Sequence, residues 1–119
     1  MTLTFAQLIA IQEPLQRLAR ARMEARAAFK VGLLVKLLAP HMAAASEARL
    51  RAYREFGTED ESGTIHVPQA RMADLRRAME PLLEVPVEVH LDPLPLATLA
   101  GVDVLSPEDL LALGPLIAE

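Results

Sequence analysis

The chain contains no cysteine, no tryptophan and no asparagine. Without cysteine, the sequence excludes disulfides, thiolate metal sites and cysteine nucleophiles. Aromatic residues make up only 3% of the chain, against a hydrophobic content of 52%, so the core must consist mainly of aliphatic side chains. A length of 119 residues fits one domain, which we predict to span residues 1–119.

Arginine outnumbers lysine ten to two, and nine residues are proline. A GC-rich genome produces such a bias together with the loss of asparagine. A hot environment has the same effect, because it disfavours asparagine and favours proline in loops. A thermophilic source is therefore one of two interpretations of this composition.

Long apolar runs are also missing. No eighteen consecutive residues are apolar, so we expect no membrane span. The first sixteen residues, MTLTFAQLIAIQEPLQ, have neither a basic segment nor a small-residue cleavage site, so no signal peptide is predicted. The expected location is the cytoplasm.

Helical periodicity dominates the first half of the chain. Thr4 is a candidate N-cap for a helix over residues 4–19, whose apolar residues at positions 8, 11, 15 and 18 form one stripe. We expect Pro14 to kink or divide this helix, because proline lacks an amide donor and crowds the preceding turn. A turn is predicted at residues 20–25.

A second, longer helix is predicted from about Glu24 to Phe56. At 1.5 Å per residue it would be roughly 50 Å long, which exceeds the diameter of a compact domain of this size. It should therefore bend at Pro40, as one kinked helix, or project onto a partner. Gly57 is predicted to end it in the left-handed conformation. The predicted buried stripe, widened by Leu33 and Leu37, consists of Val31, Leu34, Leu38, Met42, Ala45, Ala52 and Phe56.

The second half mixes short strands and helices. Residues 64–67 form a short β-branched run, which predicts a short strand, and Pro68 is predicted to start a third helix at its first turn. Residues 85–91, VPVEVHL, alternate apolar and polar side chains, which predicts a half-buried strand. Residues 94–105 are predicted to be extended segments and a turn that cover the core.

The last helix has the clearest boundaries. Ser106 is its predicted N-cap, Pro107 its first residue, and Gly114-Pro115 its end. Leu110, Leu111 and Leu113 are predicted to be buried. The whole sequence therefore predicts an α+β fold: a long helical hairpin over residues 1–57, then a small antiparallel sheet with short helices over residues 58–119.

The acidic cluster Glu59-Asp60-Glu61 is a candidate ion site. A calcium loop needs alternating oxygen ligands, a glycine in mid-loop and a distal bidentate glutamate, and this spacing is not present. We interpret the cluster as a solvated turn. No Gly-x-Ser-x-Gly, phosphate-loop or dinucleotide-binding motif occurs, and no catalytic residue, cofactor or metal is expected.

A metal-dependent hydrolase is the third-ranked function. If the two predicted strands pair, His66 and His90 would share a polar face with Glu88, and these three side chains suit a zinc ion. No local ligand spacing such as His-Glu-x-x-His supports this set. Three separate histidines that bind no metal are the simpler interpretation.

Charge is distributed unevenly. Residues 1–57 carry +5 and residues 58–119 carry −9, for a net charge of −4. We expect the two halves to pair with each other or between subunits, in preference to nucleic acid, because phosphate binding needs a concentrated positive field. The candidate interaction face consists of Arg17, Arg20, Arg22, Arg26 and Lys30.

Several segments, taken in order, resemble a family of small bacteriophage and prophage proteins without assigned function. These segments are YREFG at 53–57, EDESGTIHV at 59–67, VPVEVHLDPLPL at 85–96 and LSPEDLLALGPLI at 105–117. The resemblance covers roughly residues 24–118 and carries no catalytic residues. It implies a virion or assembly component, or a protein that modifies a host machine.

We therefore expect a non-enzymatic, phage-type interaction protein, with a protein partner and a tendency to form homo-oligomers, located in the host cytoplasm or the virion. The alternative is a small nucleic-acid-binding regulator that uses the Arg17–Lys30 face.

The interpretation of a hot source makes a testable prediction. The purified protein should then melt above about 60 °C, since mesophilic domains of this size mostly melt at or below that temperature. Differential scanning calorimetry measures this, and a lower melting temperature would leave the GC-rich genome as the explanation.

Overall fold

The computed structural model describes residues 1–118. Its four helices are α1 Phe5–Arg20, α2 Ala25–Phe56, α3 Met72–Leu83 and α4 Pro107–Ala112. Its six strands are β1 Thr2–Thr4, β2 Thr58–Glu59, β3 Ile65–His66, β4 Pro86–Glu88, β5 Leu94–Pro95 and β6 Ile117–Ala118. Short 3₁₀ segments lie at Gln69–Arg71, Leu96–Leu99 and Gly114–Leu116. The predicted α+β class, with a long N-terminal helical hairpin, is confirmed.

Helix α1 begins with a capping box. The Gln7 amide donates to the Thr4 hydroxyl at 3.2 Å, and the Thr4 amide donates to the Gln7 side-chain oxygen at 2.8 Å. Two orphan amides of the first turn are thereby satisfied, which accounts for the sharp start of the helix.

Neither Pro14 in α1 nor Pro40 in α2 divides its helix.

One hydrophobic core is built around α1. Its inward stripe of Leu8, Ile11, Leu15 and Leu18 is almost fully buried. Helix α2 covers this stripe through Val31, Leu34, Leu38 and Ala45. The second half of the chain completes the same cluster with Val89, Leu94, Leu99, Leu113 and Leu116. The two halves therefore share one core.

The strands of this α+β fold form three separate two-stranded pairs. Strands β1 and β4 pair antiparallel, β2 and β3 form an antiparallel hairpin, and β5 and β6 pair in parallel. The predicted strand over residues 85–91 shortens to Pro86–Glu88, because its partner β1 has only three residues before the cap of α1. Sequence patterns did not indicate β1, which is too short to show a period.

Gly57 ends α2, but the predicted left-handed conformation is wrong. Its φ of −133° and ψ of 179° are extended. A Cβ at this position would lie 2.7 Å from the carbonyl oxygen of His66, which is closer than real Cβ contacts. Glycine is therefore required by the close approach of β3 to the end of α2.

Helix α4 is capped as predicted, with Ser106 and Asp109 forming a capping box. The prediction that three leucines are buried is only partly correct. Leu113 is 1% exposed, whereas Leu111 is 82% exposed and Leu110 also faces solvent. A helix of six residues buries only the one side that packs against α1, and Asp109 and Leu113 occupy that side.

The molecule is elongated, with extents of 48 × 30 × 24 Å. A helix of 32 residues is about 48 Å long, so α2 runs along the whole long axis. The radius of gyration is 16.5 Å, against about 13.5 Å for a compact domain of this length. The accessible surface is 8018 Å², about 1,700 Å² more than a compact monomer of this mass has.

Two leucines of the C-terminal segment provide a matched test of this packing. Leu113→Ala should lower the free energy of unfolding by about 3 kcal/mol, because it leaves a cavity against α1. Leu111→Ala should change it by less than about 0.5 kcal/mol, since this side chain is largely in solvent. Urea denaturation followed by circular dichroism measures both, and equal losses would contradict the orientation of α4.

Candidate functional site

The outward side of α2 carries large apolar residues on three successive turns. Phe29, Leu33 and Leu37 are 69%, 53% and 41% exposed, respectively. The prediction that Leu33 and Leu37 widen the buried stripe is therefore wrong. Helix α1 covers only one side of α2, and these residues lie on the opposite side.

A groove runs between this side of α2 and the segment that contains β5. Its volume is about 510 Å³. The lining residues from α2 are Lys30, Leu33, Leu34 and Leu37, and those from the second half are Leu91, Asp92, Pro93, Leu94 and Pro95. Leu33 and Leu37 thus form one wall of an apolar groove that is open to solvent.

The charged residues that α2 itself places around these side chains are all basic, and Asp92 lies across the groove from them. Arg26, Lys30 and Lys36 are exposed, and no Asp or Glu occurs between Glu24 and Glu47. At 100° per residue, the three cations fall on the same side of α2 as the apolar residues. We call this surface the α2 face: Phe29, Leu33 and Leu37 with Arg26, Lys30 and Lys36.

The five basic residues singled out from the sequence do not act together. Arg17 is engaged with Asp109: its Nε donates to Oδ2 at 3.2 Å and a terminal nitrogen donates to Oδ1 at 2.5 Å. This bidentate ion pair joins α1 to α4 across 92 residues of sequence. Together with the Ser106 backbone amide, the Arg17 guanidinium holds the pKa of the Asp109 carboxyl below its usual value.

The other four basic residues point to solvent. Arg20 ends α1, Arg22 lies in the turn, and Arg26 and Lys30 lie in the first turns of α2. None of them forms an ion pair with another residue of the described range 1–118. Of the five residues of the predicted face, Arg17 therefore has a structural role in the ion pair with Asp109, and the other four are exposed cations.

The three candidate metal ligands do not meet. His66 lies on β3, which pairs with β2, whereas Glu88 lies on β4, which pairs with β1. The pairing on which this hypothesis depended is thus wrong. Glu88 accepts from the Thr2 hydroxyl at 2.6 Å and the Met1 amino group at 3.1 Å, which together lower its pKa. Within residues 1–118, no group of three or more His, Asp or Glu residues is arranged to hold a metal.

Asp60 organises the acidic turn. Its Oδ1 accepts from the Ser62 hydroxyl at 2.6 Å, the Ser62 amide at 2.9 Å and the Thr64 amide at 3.0 Å. Its Oδ2 lies 2.7 Å from His66 Nε2. These bonds, led by that of the Ser62 hydroxyl, place the pKa of Asp60 well below its usual value. The cluster is a solvated turn, as predicted, and one carboxylate closes the β2–β3 hairpin.

A second exposed apolar surface lies near the C-terminus. Leu110 and Leu111 project from α4, and Val104 is exposed just before it. Asp103 and Glu108 lie close to them in sequence and are exposed, and Glu108 also lines a cavity with Arg17 and Arg49. No lysine or arginine follows Arg77 in the sequence. We call this surface the C-terminal patch: Val104, Leu110 and Leu111 with Asp103 and Glu108.

Within residues 1–118, α2 is the one helix that is long and apolar enough to cross a membrane. Its most apolar window of 18 residues has a mean hydropathy of 1.4, and 22% of that window is buried. Core helices of water-soluble proteins share such a composition, and α2 packs on α1 through its inner side.

Sequence reasoning missed Phe29 and the C-terminal patch as surface features. The sequence did contain a signal for Phe29: apolar residues at positions 29, 33 and 37 repeat every four residues and form a second row beside the predicted buried stripe of α2. A second apolar row on one helix indicates an exposed apolar surface. For Leu111 no such signal existed, because a single turn of helix does not show which side is covered.

The Asp60 hairpin should respond to acid. The folded-state pKa of Asp60 is depressed, so its stabilising effect is full above the unfolded pKa of about 3.9 and is lost as the pH falls below it. The Ser62 and Thr64 amide signals in NMR spectra should therefore titrate with a midpoint well below pH 3.9. Asp60→Asn should abolish this titration, and a midpoint near 3.9 in the unmodified protein would contradict the hydrogen-bond network.

No protein-family model, no curated protein and no solved structure matches this chain. The resemblance to phage proteins therefore stays a prediction, and the function has to be inferred from the surfaces described above.

Proposed function

We propose that this protein is a non-enzymatic interaction protein that self-associates through the α2 face. The observation that carries this proposal is the row of three large apolar side chains, 41% to 69% exposed, beside an open apolar groove. A contiguous apolar surface rimmed by charged residues is typical of protein–protein contact.

The surface area of the chain supports the same conclusion. An isolated chain exposes about 1,700 Å² more than a compact monomer of its mass. A standard protein–protein interface buries about 800 Å² on each partner. Association through one such interface would thus remove about half of the excess surface.

A phage or prophage setting, in the host cytoplasm or the virion, belongs to this proposal. Its support is the order of the sequence segments described above. An assembly component with a self-associating surface fits that setting.

Self-association gives the main test of the function. The protein should exceed the mass of one 13.0 kDa chain at tens of micromolar in sedimentation velocity. Leu37→Glu should weaken association about ten- to a hundredfold, because it removes about 1.5–3 kcal/mol of apolar contact. Leu50→Glu is the matched control: Leu50 is 42% exposed on the same helix but lies outside the groove, and association should persist.

Two results would reject the proposal. One is an unmodified protein that remains a single chain at all concentrations up to 100 µM. Binding of this single chain to phospholipid vesicles through the α2 face would then identify a membrane surface as the partner instead of a second copy. The other is equal loss of association in Leu37→Glu and Leu50→Glu, which would show that the groove has no special role.

A second candidate function rests on the four exposed cations Arg20, Arg22, Arg26 and Lys30. Cations without acidic partners suit phosphate contacts, so a small nucleic-acid-binding regulator is the alternative. In a gel-shift experiment at low salt, binding should weaken as salt rises and disappear in the double variant Arg20→Glu/Arg26→Glu. Absence of any shift at low salt would remove this candidate.

A further inference from the structure

The α2 face and the C-terminal patch differ in charge. The α2 face combines apolar residues with three cations on a stretch of helix that has no carboxylate. The C-terminal patch combines apolar residues with two carboxylates on a stretch of chain that has no lysine or arginine. Each surface thus has the charge that the other lacks.

Contact between two α2 faces would be unfavourable. Such a symmetric dimer would bring Arg26, Lys30 and Lys36 of one copy close to the same residues of the other. Like charges placed together in an interface oppose association. This stretch of α2 has no carboxylate, and Asp92 across the groove supplies one negative charge against the three cations of each copy.

Contact between the α2 face and the C-terminal patch would satisfy both surfaces. The apolar residues of the two surfaces would cover one another, and the lysines and arginine would face Asp103 and Glu108. Within one chain this contact does not form, because α4 packs on α1 and both surfaces remain exposed.

We propose that the chain assembles head to tail, with the α2 face of one copy bound to the C-terminal patch of the next. This inference rests on the proposed self-association and names the partner surface. A contact between two different surfaces is heterologous, so it generates a ring or an open chain instead of a closed two-fold dimer.

The excess surface agrees with this arrangement. Each copy inside a ring or chain uses two separate surfaces. Two interfaces of standard size would cover about 1,600 Å² of that copy, close to the excess of about 1,700 Å². A single two-fold contact of standard size would leave about half of the excess exposed.

Two variants, each with one broken surface, test the arrangement. Leu37→Glu breaks the α2 face and leaves the C-terminal patch intact. Leu110→Ser/Leu111→Ser breaks the C-terminal patch and leaves the α2 face intact. Both changes lie on exposed side chains, and thermal melts followed by circular dichroism confirm that each variant is folded.

Each variant alone should have the mass of one 13.0 kDa chain in sedimentation velocity. Their equimolar mixture should form a species of twice that mass and nothing larger, because one intact α2 face meets one intact C-terminal patch. Raising the salt concentration should weaken this mixed dimer, since screening reduces the attraction between the opposite charges.

Three results separate the possible failures. If the Leu110→Ser/Leu111→Ser variant associates as the unmodified protein does, the C-terminal patch is not involved and the head-to-tail arrangement is wrong. A mixture that remains at the mass of one chain also rejects it. In the first case self-association through α2 stands, whereas an unmodified protein that never associates removes the proposed function itself.

Discussion

Burial of α1 is the constraint on which the rest of this structure depends. Its inward leucines and isoleucine have almost no contact with solvent, and α2, α3, α4 and β1 all pack on it. A chain with few aromatic residues must obtain its stability from close aliphatic packing, which needs one well-covered element. Because neighbours cover α1, its partner α2 is left with one side on the core and one side in solvent.

Electrostatics then connects the two halves of the chain. The basic half and the acidic half meet at the Arg17–Asp109 ion pair, which fixes α4 against α1. The expectation that the halves pair within the fold is realised at this contact. Most of the remaining charge stays at the surface: Arg26, Lys30 and Lys36 lie on the outer side of α2, and Asp103 and Glu108 are exposed in the C-terminal segment.

This distribution leaves two apolar surfaces with charged neighbours on the outside of the molecule. The open groove beside α2 is apolar, the C-terminal patch is apolar and acidic, and the molecule is more extended than its length requires. An extended shape exposes area that hydrophobic burial would normally remove. In the head-to-tail assembly that we propose, the α2 face and the C-terminal patch form one complementary pair and cover this area.

The sequence by itself determined the local features. Thr4 and Ser106 were identifiable as N-caps, the two long helices were evident from their period, and the Asp60 turn followed from its composition, because each depends on residues close together in the chain. Tertiary structure alone decided which strands pair, since pairing joins segments that are distant in the chain and β1 is too short to show a pattern. It also decided that Leu37 and Leu111 face solvent while Leu113 does not. Apolar periodicity indicates which residues can be buried, but only the neighbouring elements determine which of them are covered.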